Sequence, residues 1–308
     1  MPAKAPFYWL DPLINREQGG LPYGRRPFGL ARITRLLEAL GRPQEDFPCF
    51  HVAGTKGKGS VSQLLAHLLG KAGLRTGLYL SPHLCHPYER IQLNGKNLPA
   101  TWEACLRRRV GSLFPRLSRK GLSPSYFEAM TAAALLYFSA SRAERVVLET
   151  GMGGRLDATN VIPAPRVALI TSLELEHQEI LGRTLSRIAR EKFGIIKPEG
   201  PVVSGITQPA LRRKLARLCR KLKSPLRQQG RDFSCRILSI DACSQTVEYV
   251  SRGPGKGRGS RHGPLRLPLL GAHQALNLSL ALAAWEISEG SLPSLDCLNR
   301  WLSSVSLP

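Results

Sequence analysis

The seven cysteines of this 308-residue chain include no C-x-x-C pair. That absence argues against a disulfide framework or a zinc ribbon and fits reduced thiols. His83, Cys85 and His86 form one tight His/Cys cluster, but their spacing is too close for a four-ligand zinc site and no second half follows. Long apolar runs are missing too: the longest, around Thr131 to Phe138, is too short to span a bilayer. The N-terminal MPAKAPFYWLDP lacks the basic-then-apolar pattern of an export signal, so a cytoplasmic location and no membrane partner are expected. Acidic residues are scarce, 22 against 44 Lys and Arg, for a net charge of +22. Such a surplus points to anionic partners, either nucleic acid or ATP and polycarboxylate substrates. The charge is spread along the chain, and its densest patch, residues 251–263, has no interleaved aromatics for base stacking. No nucleic-acid partner is therefore expected, and the patch reads as a loop between strands.

What is present is an alternation of strands and helices. Leu30, Ile33, Leu36, Leu37 and Leu40 recur at helical spacing within residues 27–40. Short buried strands are expected at 49–53, 75–80, 145–150, 166–172 and 201–205. Helices are expected at 60–73, 123–141, 184–197, about 209–222, 273–288 and 294–305, with an irregular β-rich stretch at 226–270. This order predicts one α/β domain over 1–308: a mostly parallel sheet flanked by helices, with a phosphate-binding loop and a small β-rich segment.

That loop is HVAGTKGKGS, residues 51–60. Gly54, Gly57 and Gly59 free the backbone to curl round phosphate oxygens, the next helix aims its N–H groups at them, and Lys58 adds a point charge. The usual pattern places a hydroxyl directly after the lysine, but here Gly59 intervenes and the hydroxyl falls on Ser60. A magnesium ion would then need another oxygen. Ser81 after strand 75–80, Glu149 at the end of strand 145–149 and His177 just past strand 166–172 are candidates, since ligands gather at strand ends in open α/β sheets. Taken singly, Ser81 also reads as a turn former, Glu149 as a helix cap and His177 as a surface residue.

AGTKGKGS, SPHL with ERI at 89–91, SYFE at 125–128, ETGMGGRLDATN at 149–160, the spaced block from His177 to Lys197 and HQALN at 273–277 occur in this order. Together they resemble the folylpolyglutamate synthase/dihydrofolate synthase family of Mur-ligase-like, ATP-dependent amide ligases, from about Phe28 onward. The resemblance implies ATP contacts at Gly54, Thr55, Lys56, Gly57, Lys58, Gly59, Ser60 and Asn277. It implies magnesium ligation by Ser81, Glu149 and His177, with Lys192 carbamylated to hold a second Mg²⁺ and Lys58, His177 and Lys192 as the catalytic set. The residues alone do not tell Lys192 from Lys197. Ser125, Tyr126, Phe127, Glu128, Leu156, Asp157 and Ala158 match pteridine-side contacts.

The implied reaction joins L-glutamate to dihydropteroate or a reduced folate through an acyl phosphate. The alternatives are a Mur-like ligase for another acid and a non-catalytic ATP- or folate-binding remnant. In two places the chain departs from the family pattern: Glu176 stands where an aspartate is usual before His177, and Phe193 follows Lys192. The chain also stops at Leu307-Pro308, where the family continues into a Rossmann-like domain that carries much of the glutamate site. The expectation is that this domain is absent and that residues 1–308 do not complete the ligation alone; whether a separately encoded domain restores it is left open by the sequence.

Overall fold

The computed structural model of the protein describes residues 6–13, 29–252 and 259–307. Along the chain run α1 (Ala31–Ala39), β1 (Cys49–Ala53), α2 (Lys58–Lys71), β2 (Thr76–Tyr79), β3 (Ile91–Leu93), β4 (Lys96–Asn97), α3 (Glu103–Arg109) and α4 (Phe114–Arg119). Then come α5 (Tyr126–Ala140), β5 (Arg145–Glu149), β6 (Val167–Ile170), α6 (Gln178–Leu181), α7 (Leu185–Phe193), β7 (Val202–Ser204) and α8 (Pro209–Lys221). The last elements are β8 (Leu226–Gln228), β9 (Phe233–Ile240), β10 (Gln245–Ser251), β11 (Ser260–Leu267), α9 (Ala272–Glu289) and α10 (Leu295–Leu302).

Eight strands form one sheet in the order β4-β3-β2-β5-β1-β6-β7-β8, parallel except for the antiparallel β3 and β4 at one edge. β1, β5 and β6 are apolar and buried almost throughout, as strands covered on both faces must be. On one face Leu36 and Leu37 of α1 meet Ala133 and Phe138 of α5. On the other, Leu64 and Leu68 of α2 share a core with Leu278 and Leu282 of α9. A third core, with Phe193 and Leu215, seats α7 and α8. Each fully buried leucine or phenylalanine of this kind contributes about 1.5–3 kcal/mol.

The stretch expected to be simply β-rich divides. β8 joins the parallel sheet, whereas β9, β10 and β11 make a separate antiparallel sheet. The expected loop at 251–263 is narrower, since Ser251 ends β10 and β11 begins at Ser260; residues 253–258 lie outside the described ones. Among the described residues no helix is long and apolar enough to cross a membrane.

Candidate active site

The strands β2, β5, β1 and β6 are neighbours, so their C-terminal ends lie side by side. Those ends deliver Ser81, Glu149, Gly54 and Thr171 to one edge of the sheet. β1 stops because Gly54 takes φ 157, and a Cβ there would run into the Thr171 hydroxyl. The following loop is pinned to the end of β6. Thr55 N–H donates to Ser172 O at 2.8 Å, Lys56 N–H to Ser172 Oγ at 3.0 Å, and Thr171 Oγ1 to Lys56 O at 2.7 Å. Lys56 is exposed and paired with Glu174 at 2.8 Å.

α2 begins at Lys58, two residues before the expected start at Ser60, with Gly57 capping it at φ 80. Lys58, Gly59 and Ser60 therefore form the first helical turn, whose N–H groups have no partner within the helix. Gly57 is required twice over: its φ is left-handed, and a Cβ would stand 2.5 Å from Asn277 Oδ1. Asn277, from α9, thus lies directly against the turn of the loop. Lys58 Nζ reaches back to Thr55 O at 3.3 Å.

A cavity of about 1020 Å³ opens here, lined among others by Gly57, Gly59, Ser60, Ser81 and Glu149. Glu149 is 5% exposed. Burial pushes its carboxyl up to about 7, opposed by Lys58 and by the Ser81 N–H, which donates to Oε2 at 3.2 Å. A Cβ on Gly59 would be 3.7 Å from that carboxylate, so the residue after the lysine is small where Glu149 approaches. Ser81 Oγ is buried and has no hydrogen-bond partner among the described residues. A buried carboxylate and an unpartnered hydroxyl on adjacent strand ends suit a hard, oxygen-seeking dication. His177 is placed elsewhere: it is exposed, takes φ 45 at the start of α6, and is not in the lining of this cavity. Among the described residues no three His, Cys, Asp or Glu side chains group closely enough to hold a metal.

Lys192 and Lys197, alike in sequence, differ in the fold. Lys192 is 1% exposed; its Nζ donates to Gly54 O at 2.6 Å and pairs with Glu176. Burial pushes its ammonium below the ordinary lysine range, and the Glu176 carboxylate opposes the shift. Glu176, the residue before His177, thus folds onto Lys192, a pairing the sequence did not reveal. Lys197 is half-buried, with Nζ 3.5 Å from Asn160 O.

A second cavity, about 230 Å³, is lined by the segment that follows β5. Ser125, Phe127, Glu128, Leu156, Asp157 and Ala158 all line it, as does the glycine run from Gly151. Ser125 caps α5 with a reciprocal capping box: its side chain accepts the Glu128 N–H, and Glu128 accepts the Ser125 N–H at 2.7 Å. Glu128 is also paired with Arg32, whose Nε sits 3.0 Å from Oε2. Gly151 lets the Phe127 ring lie on the backbone, since a Cβ would be 2.6 Å from Cζ. Tyr126 is not in this lining; it is buried, with the Arg90 guanidinium 5.7 Å from its ring centre. Sequence reasoning missed Arg32 and Arg90. Arg90 is 2% exposed and donates to His83 Nδ1 at 2.8 Å, which gives His83 a structural partner.

In sequence and fold the chain is similar to known proteins. The family model described as the Mur ligase middle domain matches residues 52–285. The dihydrofolate synthase/folylpolyglutamate synthase of Bacillus subtilis (strain 168) is 34% identical over 272 residues, 87% of this chain and 61% of that protein. The solved folylpolyglutamate synthase of Thermotoga maritima superposes with a TM-score of 0.82 at 32% identity, covering 92% of this chain and 64% of that one. A solved FPGS complex with AMPPCP and folate gives a TM-score of 0.84 at 30% identity, covering 96% and 69%. The chain thus spans about three fifths of the length of the curated relative it matches.

Proposed function

We propose that this chain, which belongs to the Mur ligase middle-domain family, forms the nucleotide- and acid-binding part of an ATP-dependent carboxylate–amine ligase of folate metabolism. One observation carries the reading. A single strand end feeds both cavities: Glu149 of β5 lies in the larger one, beside the phosphate loop, and Gly151 to Asp157 line the smaller one. An acid bound in the smaller cavity is thereby set next to the terminal phosphate of a nucleotide on the loop. The FPGS complex with AMPPCP and folate supports this choice of ligands.

In this reading the first-turn N–H groups of α2 and Lys58 hold the ATP phosphates. Ser81 and Glu149 would hold Mg²⁺, which when bound offsets the negative charge gathering on the transferring phosphoryl group. His177 is proposed as a further ligand. Lys192 is proposed as the carbamylated ligand of a second ion, a change that requires its pairing with Glu176 to open. The carboxylate of dihydropteroate or a reduced folate attacks the γ-phosphorus and ADP leaves, giving an acyl phosphate. The α-amine of L-glutamate then adds to the acyl carbon, phosphate departs, and the amine proton is released. Holding both reactants in line supplies much of the rate in such a step. We place the glutamate site in a further domain, which fits the greater length of the relatives.

The test begins at Lys58, which is not part of the packed core. Lys58→Ala should weaken binding of a Mg·ATP analogue about 10- to 100-fold in calorimetry. Unchanged affinity would remove the loop from the reading. A pteroate or folate ligation assay, with and without an added second domain, then tests the chemistry; no glutamate incorporation in either case would defeat it.

A further inference from the structure

A buried relay of three side chains ties the floor of the smaller cavity to the strand that carries the phosphate loop. Asp157 Oδ2 accepts the Met152 N–H at 2.9 Å. Asp157 Oδ1 accepts the Thr159 N–H at 3.0 Å and the Thr159 hydroxyl at 2.6 Å. The hydroxyl has one proton, and it is directed at the carboxylate. Thr159 Oγ1 therefore accepts from His51 Nε2, 2.8 Å away, so His51 carries a proton on Nε2. His51 is fully buried, and its Nδ1 has no partner among the described residues. It lies in β1, which continues through Val52 and Ala53 into Gly54.

None of the three groups is solvated enough to exchange its partner for water. His51 and Thr159 are 0% exposed and Asp157 is 6% exposed. Removing one member leaves a buried donor or acceptor unmatched, and the loop from Gly151 to Ala158 loses its tether to the sheet.

We infer that His51 is a positioning residue for the acid substrate: through Thr159 it orients Asp157, and so sets the shape of the cavity wall without touching the ligand. The inference rests on the proposed function for the identity of that ligand, but not for the coupling itself. Its consequence is selective. Breaking the relay should loosen the acid site while leaving the nucleotide loop, which is pinned separately to β6, intact.

The experiment compares His51→Leu, Thr159→Val and His51→Gln, whose side-chain amide can donate where Nε2 does. Hydrogen exchange of the 151–159 segment should accelerate about tenfold in His51→Leu and Thr159→Val. Exchange in 54–60 and affinity for a Mg²⁺-bound ATP analogue should stay at the wild-type level. Folic acid binding should weaken about tenfold in both variants and recover in His51→Gln. A folded Thr159→Val chain with wild-type exchange across 151–159 would overturn the proposal, and so would equal loosening of 54–60. If His51→Leu fails to fold, Thr159→Val and His51→Gln still decide it. If the wild type itself does not bind folic acid, the ligand assignment falls, while the exchange rates still decide the relay.

Discussion

Single side chains in this protein acquire their meaning from neighbours far away in sequence. Lys192 and Lys197 both read as surface lysines in the sequence, yet the first touches the carbonyl of Gly54 and the second bonds Asn160 O instead. His51 is hidden in an apolar strand where periodicity reports burial but never the hydrogen-bond partner. The glycine loop, Ser81 and Glu149 could be assigned to strand ends from the sequence, and the fold brings those ends to one edge; Tyr126 was expected at the smaller cavity but lies outside its lining, and the places of Arg32 and Arg90 were not foreseen, because α1, α5 and the 81–90 loop meet only on folding. Burial also gives His51 a measurable acid response. It pushes the imidazole down from 6.5 to about 3, with Lys197 adding to the shift. Below 6.5 the unfolded chain therefore takes up a proton that the folded chain refuses, so this contribution to stability is complete above 6.5 and is lost as the pH falls toward 3. His51→Gln cannot titrate. Between about pH 7.5 and about pH 5 the wild type should lose ~2 kcal/mol more unfolding free energy than the variant. Parallel losses in urea titrations at the two pH values would show that His51 is not held neutral.

Among the elements, existence and type were readable, while ends and pairings were less so. β1 runs over Cys49–Ala53 as its apolar run implies. α2 starts earlier than the hydrophobic pattern suggests because Gly57 caps it, and a cap leaves no mark on apolar periodicity. α7 stops at Phe193, before the expected Lys197, since Gly194 to Ile196 turn inward to bury Ile195 and Ile196. β3 and β4 are too short to show an alternation at all. α5 is the opposite case, because its start is written in S-Y-F-E and the capping box forms. Its first turn is both a helix end and a cavity wall, so a cap mutation has two readouts. Ser125→Ala should lower stability by about 1 kcal/mol. It should leave the Glu128 N–H without its Ser125 Oγ acceptor, while the Glu128 carboxylate keeps the backbone N–H of residue 125 and Arg32. A melt unchanged within error would mean that the α5 terminus draws its order from packing alone.

At the scale of the molecule, the question is whether residues 1–308 behave as one cooperative domain, as the sequence suggested. The three-stranded sheet is the element most able to melt separately, since among the described residues it forms a sheet of its own, joined to the end of β8 by the single bridge of Gln229 to Phe233. Its inner residues Phe233, Val247, Tyr249, Leu265 and Leu267 nevertheless belong to the same core as Val52 of β1, Leu64 of α2 and Leu282 of α9. A single carboxylate reinforces the junction. Glu286 of α9 accepts from Arg227 of β8 at 2.8 Å, from Tyr249 of β10 at 2.6 Å and from Ser251 at 2.8 Å. Helix, main sheet and small sheet are thus joined by apolar burial and by a shared, largely desolvated acceptor. Opening the small sheet would strip one face of α9, and α9 carries the Asn277 that sits on the phosphate loop. We therefore expect one transition. Val247→Ala, at a fully buried position, should cost about 2 kcal/mol and shift the whole urea curve. Tryptophan fluorescence reports Trp9 and Trp102 against the α5 face as well as Trp285 and Trp301 by the small sheet, and far-UV circular dichroism reports the helices. If the domain is single, the two signals move together in the variant as in the wild type. An early fluorescence step in Val247→Ala, with the helical signal left behind, would show that the small sheet and α9 unfold apart from the site they cover.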